Sequence, residues 1–182
     1  IRIDRAVRDI PTTYILGGCS TPNLRQLIVD DLAKNGEECN DIRSREISRR
    51  NEYKLDTAIY KTTETTPNDY IITLESPDGR ALFGFLRLRL NSPDNGETWL
   101  FPELIRTAII EELHVYSTNG MLVPVGAKKQ GASQHRGVGK ALVNHAEWLA
   151  WFYGYHQIAV ISGEGVRTYY KNLGYDYGMG LG

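Results

Sequence analysis

The stretch Gln134-His135-Arg136-Gly137-Val138-Gly139-Lys140 lies between a predicted strand and a predicted amphipathic helix. Glycines at 137 and 139 let the backbone approach a ligand closely, and the first N–H groups of a helix, which have no intrahelical acceptor, attract anions. Arg136 and Lys140 add positive charge. The spacing matches neither the GxxxxGK[ST] loop nor the complete GxGxxG fingerprint. By itself the stretch is compatible with an anion site and equally with a glycine-rich turn that only caps the helix.

Hydrophobic periodicity predicts alternating elements around this stretch. Upstream we expect a strand over 53–60, a hairpin of strands 70–74 and 81–90 joined by Ser76-Pro77-Asp78-Gly79, and a strand over 108–116. Downstream we expect a helix from Gly137 to Gly154, a short strand over 158–161 and a helix over 165–173. An amino-terminal helix begins after Thr21-Pro22-Asn23 and stops near Gly36. This order predicts an α+β fold, a mixed and mostly antiparallel sheet flanked by helices.

Composition limits the function classes. The 182 residues suit one domain, or one domain with an appendage, and 21 basic against 22 acidic residues exclude a uniformly cationic nucleic-acid protein. The two cysteines, Cys19 and Cys39, form no CxxC motif and favour a reducing, cytoplasmic setting. No apolar run approaches the roughly 20 residues of a membrane span. The chain begins with Ile1 rather than Met, which is compatible with a segment of a longer protein.

One local concentration of positive charge breaks this balance. It comprises Arg43, Arg45, Arg49, Arg50 and Lys54, with Arg25 nearby in sequence. These side chains could contact nucleic-acid phosphates, or they could form a solvated strand edge. Trp148, Trp151 and Phe152 are predicted to pack in the core rather than to stack on bases.

Motifs on both sides of the glycine stretch resemble the GNAT acetyltransferase superfamily. Glu111-Glu112-Leu113-His114-Val115-Tyr116 precedes it, and Thr168-Tyr169-Tyr170-Lys171-Asn172-Leu173-Gly174 follows it. The resemblance implies that acetyl-CoA binds between two splayed strands, with its pyrophosphate at the glycine loop and its pantetheine along the preceding strand. The residues implied for acetyl-CoA binding are Glu112, Leu113, His114, Val115, Ser133, Gln134, His135, Arg136, Gly137, Gly139, Lys140 and Tyr170.

The closer resemblance is to the acetyltransferase domain of the catalytic (third) subunit of Elongator, the tRNA wobble-uridine modifying enzyme. Ala159-Val160-Ile161-Ser162-Gly163-Glu164-Gly165-Val166-Arg167 supports it, and Cys39-Asn40-Asp41-Ile42-Arg43-Ser44-Arg45-Glu46 is similar to that family's linker. The resemblance implies a linker and tRNA-contacting segment over 1–51 and a GNAT domain over 52–182. The family's radical-SAM barrel binds an iron–sulfur cluster through closely spaced cysteines, which this sequence lacks. We therefore expect no cluster, no SAM and no zinc in this chain, and a separate radical-SAM domain or subunit as a partner.

The implied chemistry is acyl transfer from a thioester. Tyr170 is the candidate acid for the leaving thiolate, with Tyr169 beside it on the same helix. Glu112 and His114, two residues apart on a strand, point to the same face and are candidates for a base or a water-positioning group. Three functions stay open: an acetyl-CoA hydrolase or acetyltransferase that depends on tRNA, a protein lysine N-acetyltransferase of the histone type, and a non-catalytic tRNA-binding remnant.

Overall fold

The structure is a computed structural model that describes residues 12–14, 16–18, 21, 24–47, 52–92, 101, 104–116 and 137–177. The chain divides into two compact units, Ile1–Glu46 and Ile47–Gly182. The functional boundary that we placed after residue 51 stays a prediction.

The first unit contains helix α1, Leu24–Lys34, and the short 3-10 turns Thr12–Tyr14 and Ile42–Arg45. The predicted amino-terminal helix is thus confirmed. Gly36 ends it in the left-handed conformation, at φ 75°, which only glycine adopts without strain. Asp41 caps the start of the 3-10 turn Ile42–Arg45, because its carboxylate accepts a hydrogen bond from the backbone N–H of Arg43 at 3.2 Å.

The second unit is built on a five-stranded sheet in the order β1-β2-β3-β4-β5. The strands are Ile59–Thr66, Asp69–Glu75, Leu82–Leu90, Thr107–Val115 and Gln157–Val160. Neighbours are antiparallel except β4 and β5, which are parallel and joined through helix α2, Val138–Phe152. Helix α3, Arg167–Asn172, follows a 3-10 turn at Glu164–Val166. The predicted α+β class, with a mixed and mostly antiparallel sheet, is confirmed.

The core lies between α2 and one face of the sheet. Leu142, Val143 and Ala146 of α2 are fully buried there against Leu86 and Ile110 of the central strands. Gly84 permits this packing: a Cβ atom on it would lie 2.7 Å from the carbonyl oxygen of His114 and 3.1 Å from a methyl of Val138. A larger residue at 84 would therefore push the start of α2 away from β3 and strain the pairing of β3 with β4.

The predicted strand over 53–60 is wrong in its first part, since β1 begins only at Ile59. Leu55–Thr57 forms a 3-10 turn, closed by a hydrogen bond from the Ala58 N–H to the Leu55 carbonyl at 3.1 Å. This turn brings Leu55 and Ala58, three residues apart, to the same core cluster. The alternation of residue types therefore did not reflect a sheet face.

The predicted burial of three aromatic side chains is also wrong. Trp148, Trp151 and Phe152 are 53%, 66% and 63% exposed, because α2 directs Leu142, Ala146 and Leu149 at the sheet instead. Within the described residues, no helix combines the length and the apolar character needed to cross a membrane.

Candidate functional site

Strand β4 separates from β5 halfway along its length. The parallel ladder runs from Thr107–Gln157 to Ile110–Val160, and the Ile161 N–H still donates to the Ile110 carbonyl at 3.0 Å. Beyond this point, among the described strands, Leu113–Val115 pair only with β3. Glu111 is an extra residue in the β3–β4 ladder, because Arg87 lies opposite Glu112 and Leu88 opposite Ile110. The main-chain groups of Leu113–Val115 that point away from β3 can therefore pair with an extended ligand.

Glu112 and His114 form a pair on one face of β4. The Nε2 atom of His114 lies 2.9 Å from a carboxylate oxygen of Glu112, and the imidazole stacks on Phe85 with ring centroids 5.2 Å apart. The shared face predicted from their spacing is confirmed. The neighbouring Glu111 pairs instead with Arg87, at 3.0 Å. An imidazole oriented by a carboxylate can accept a proton from an adjacent water or amine.

The start of α2 borders the same end of β4. Gly137 precedes the helix at φ 108°, a conformation that requires glycine, and its carbonyl accepts the Ala141 N–H at 2.7 Å. Gly139 is buried, and Lys140 is exposed beside it. The predicted ligand-binding residues Ser133, Gln134, His135 and Arg136 lie outside the described residues.

The hydroxyl of Tyr169 lies against this helix start. It is buried and has no hydrogen-bond partner among the described residues. A Cβ atom on Gly139 would lie 2.6 Å from the hydroxyl oxygen and 3.5 Å from a methyl of Val115. Gly139 is therefore needed for the close approach of α3 to α2 and β4. Burial raises the pKa of the Tyr169 phenol above its ordinary value.

Tyr170 occupies a more buried position, with 9% of its surface exposed. Its ring meets those of Tyr169 and Tyr175 edge-on, at centroid distances of 5.2 and 5.9 Å. Burial, with a smaller contribution from Tyr169, raises the pKa of Tyr170 to about 12. Sequence reasoning missed the supporting residue Tyr175, whose hydroxyl donates to Glu147 of α2 at 2.8 Å. No local signal predicts that contact, because its partners are 28 residues apart.

The predicted basic residues have different surroundings. Arg25 forms an ion pair with the buried carboxylate of Asp41, within the first unit. Arg43 and Lys54 are exposed, Arg45 is half-buried, and Arg49 and Arg50 lie outside the described residues. Across the described part of the chain, His, Cys, Asp and Glu side chains form no group of three that could bind a metal ion.

Comparison with known proteins identifies relatives over nearly the whole chain. The chain is 36% identical to Elongator complex protein 3 of Danio rerio in an alignment of 185 positions, which covers 96% of this chain and 32% of that protein. It is also 36% identical to the Homo sapiens protein of the same name, in an alignment of 183 positions that covers the same shares of the two chains. No family model matches.

A solved structure supports the same relationship. The archaeal Methanocaldococcus infernus Elp3 with an N-terminus deletion (1–46) superposes with a TM-score of 0.70 at 28% identity, over 94% of this chain and 41% of that one. The chain thus spans about a third of the length of the curated relatives that it matches. The resemblance to the Elongator catalytic subunit is confirmed.

Proposed function

This chain resembles one third of Elongator complex protein 3, and from that premise we propose that it is an acyltransferase module that binds acetyl-CoA and acts with tRNA in the modification of wobble uridine. The observation that best supports the proposal is the separation of β4 from β5 beyond Ile110. An extended ligand could pair with the main chain of β4 there, with the start of α2 on one face of the sheet and the Glu112–His114 pair on the other.

Acetyl-CoA is the proposed co-substrate. The N–H groups near Gly137 and Gly139, with the Lys140 ammonium, would bind its pyrophosphate, together with Ser133, Gln134, His135 and Arg136. Leu113, His114 and Val115 would pair through their backbones with the pantetheine. A backbone N–H of this strand would then donate to the thioester carbonyl oxygen as negative charge develops there.

Proton transfer would use groups on β4 and on α3. His114, oriented by Glu112, would accept the proton of the attacking water or amine. Tyr170 would donate a hydrogen bond to the departing thiolate, and its raised pKa keeps the phenol protonated at neutral pH. Tyr169 adds a second buried hydroxyl next to the start of α2. The overall change is cleavage of the thioester C–S bond, with the acetyl group passing to the acceptor and a proton to the thiolate.

tRNA is the proposed partner of the basic segment. Exposed Arg43 and Lys54, with Arg45, Arg49, Arg50 and Arg25, would contact its phosphates. Arg25 would have to exchange Asp41 for a phosphate, since its guanidinium is already paired. A radical-SAM domain or subunit is a further proposed partner, because two cysteines cannot provide the three or four thiolate ligands of an iron–sulfur cluster.

The deciding experiment measures acetyl-CoA turnover with and without tRNA. We expect release of CoA thiol to rise in the presence of tRNA, and Tyr170→Phe to lower turnover while leaving CoA binding largely intact. Absence of CoA binding in calorimetry would overturn the enzymatic proposal and leave a non-catalytic tRNA-binding module.

The tRNA contact has its own test. Arg43→Ala, Arg45→Ala and Arg49→Ala together should weaken tRNA binding. The plot of the logarithm of the association constant against the logarithm of salt concentration should become less steep, its negative slope shrinking in magnitude by about 2 to 3. Arg80→Ala, an exposed cation of the β2–β3 turn, is the matched control and should leave the slope unchanged. A slope that the triple variant does not alter would refute the contact.

Protein lysine N-acetylation is the second candidate, because the Glu112–His114 pair could deprotonate an amine as well as water. Acetylation of an added lysine peptide, at a rate independent of tRNA, would favour it over the tRNA-dependent function.

A further inference from the structure

The outer side of α2 and the edge strand β1 form a continuous surface of aromatic rings, called here the aromatic strip. Its members are Tyr60, His145, Trp148, Phe152 and Tyr153. Consecutive ring centroids lie 4.7, 5.6, 5.6 and 5.5 Å apart along that order. More than half of the Trp148 and Phe152 surfaces is exposed, although both are large apolar groups. Exposed aromatic side chains that touch one another usually indicate a binding surface.

Beside the strip, β1 leaves one edge of the sheet open. All eight of its residues are exposed, and among the described strands it pairs only with β2. Its register is regular from Ile59–Glu75 to Glu64–Tyr70, and a register shift between Glu64 and Thr66 lies at its end. Bulges, prolines or charged side chains usually protect an edge strand from pairing with another chain. The charged Lys61 lies toward the neighbouring strand, where its ammonium is 3.5 Å from Glu75.

We propose that β1 and the aromatic strip bind a second copy of this chain, with the two β1 strands pairing antiparallel about a two-fold axis. Opposite residues of an antiparallel pair share a face, so the axis must pass through a residue position. Tyr60 and Thr62 share the face of α2, since both contact His145. With the axis at Thr62, this threonine lies opposite its own copy, Tyr60 opposite Glu64 and Lys61 opposite Thr63. No like charges are then directly opposed.

The charge and area of the surface favour a polypeptide occupant. A nucleic-acid surface would need cations beside the stacking rings. Here Lys61 is paired with Glu75, and Glu64 lies on the same strand. A large aromatic side chain contributes roughly 150–250 Å², so the exposed halves of Tyr60, Trp148, Phe152 and Tyr153 provide on the order of 400 Å² per copy. The paired backbones of β1 would add to this, toward the roughly 800 Å² per partner of a stable interface.

Introducing a charge at Thr62 tests the proposal. Sedimentation equilibrium of the wild-type chain should give a mass of twice 20.5 kDa at high concentration. Thr62→Lys and Thr62→Glu should each give 20.5 kDa at that concentration, because like charges then face each other across the axis. An equimolar mixture of the two variants should restore the double mass, which also shows that both fold. Asn172→Lys and Asn172→Glu, at an exposed position on α3, are the charge-matched controls and should behave as wild type.

A second pair of variants tests the strip. Trp148→Ser should raise the dimer dissociation constant at least tenfold, whereas Trp151→Ser, which removes an exposed tryptophan outside the strip, should change it less than threefold. A wild-type mass of 20.5 kDa at every concentration would overturn the proposal, and so would a dimer that the Thr62 variants leave intact. Quenching of tryptophan emission by a single-stranded oligouridylate, lost in Trp148→Ser while the wild-type chain is monomeric, would assign the strip to nucleic acid instead.

Discussion

The hydroxyl of Tyr169 occupies the space in which residue 139 would carry its side chain, 2.6 Å from the position of a Cβ atom on Gly139. Helices α3 and α2 therefore approach each other as closely as a glycine permits. The contact joins the proposed pyrophosphate site to the helix that carries both candidate tyrosines, and its energetic coupling can be measured.

Gly139→Ala and Tyr169→Phe should be coupled. Alanine at 139 gains helix propensity but meets the phenol oxygen, whereas in Tyr169→Phe that oxygen is absent. We expect Gly139→Ala to be about 1 kcal/mol less favourable in the wild-type background than in the Tyr169→Phe background, measured by denaturant unfolding. Gly165→Ala, whose Cβ would meet nothing within 4 Å, should show no coupling to Tyr169→Phe. Additive effects at 139 and 169 would contradict the contact.

The Glu112–His114 pair should affect turnover and not acetyl-CoA binding. His114→Ala removes the proposed base and should lower kcat about a hundredfold, and Glu112→Gln should lower it about tenfold by leaving the imidazole unoriented. Both should leave KM for acetyl-CoA within about twofold of wild type, since the contacts proposed for that strand are made by its backbone. Glu111→Gln, which removes the adjacent carboxylate that pairs with Arg87, is the control and should keep kcat within about twofold. If Glu111→Gln and Glu112→Gln lowered kcat equally, the loss would reflect a general effect on β4 and would contradict the role of the Glu112–His114 pair.

Alkaline pH should destabilise the second unit. Burial raises the pKa of Tyr170 to about 12 from the ordinary value of 10.0, and it raises the pKa of Tyr169 and Tyr175 as well. A raised pKa in the folded state contributes stability that is complete below pH 10 and is lost as the pH rises toward 12. The free energy of unfolding should therefore fall over this range. Tyr170→Phe should reduce the fall by at most about 1.4 kcal/mol per pH unit. If no tyrosine variant altered the dependence of the free energy of unfolding on pH, the prediction would be wrong.

Ser76 should stabilise the turn between β2 and β3. Its buried hydroxyl donates to Asp78 at 2.6 Å and accepts the Ala81 N–H at 2.8 Å. Ser76→Ala leaves that buried N–H without an acceptor and should cost about 1–3 kcal/mol in urea unfolding. Thr57→Ala removes an exposed hydroxyl hydrogen bond to the Lys54 carbonyl and, as the control, should cost less than about 0.5 kcal/mol.

Acid should destabilise the same turn. Hydrogen bonds from Ser76, Tyr53 and the Arg80 N–H lower the pKa of Asp78 to about 2 from its ordinary 3.8. A lowered pKa contributes stability above pH 3.8 that is lost as the pH falls toward 2. Ser76→Ala removes the largest of these effects and should flatten the acid limb of the unfolding profile. An acid limb identical to that of wild type would contradict this role of Ser76.

Local sequence signals predicted most of the elements correctly. The apolar run over 81–90, the turn Ser76-Pro77-Asp78-Gly79 and the periodic apolar face of α2 each satisfy backbone geometry and burial within a few residues. The spacing of Glu112 and His114 also predicted a shared strand face, since alternate residues of a strand point the same way. These signals are short-range, and the structure agrees with them for that reason.

Signals of the same kind failed where burial depends on distant partners. Residues 53–58 alternate like a strand, yet a 3-10 turn brings Leu55 and Ala58 to the core. Trp148 and Phe152 look like core residues, yet a single helix has only one face against the sheet, and smaller side chains occupy it. Amino-acid type predicts how favourable burial would be, but it does not say which face of a helix receives a partner.

Local sequence was sufficient for the class of fold and for the glycine-rich start of α2, because propensity, turn chemistry and periodicity act over a few residues. Long-range packing alone established that β4 leaves β5 after Ile110, that Tyr169 lies against Gly139 and that Tyr60 stacks on His145. Those relationships join residues up to 85 positions apart, since 145 − 60 = 85. Their formation depends on the packing of α2 on the sheet, which no local stretch of the chain specifies.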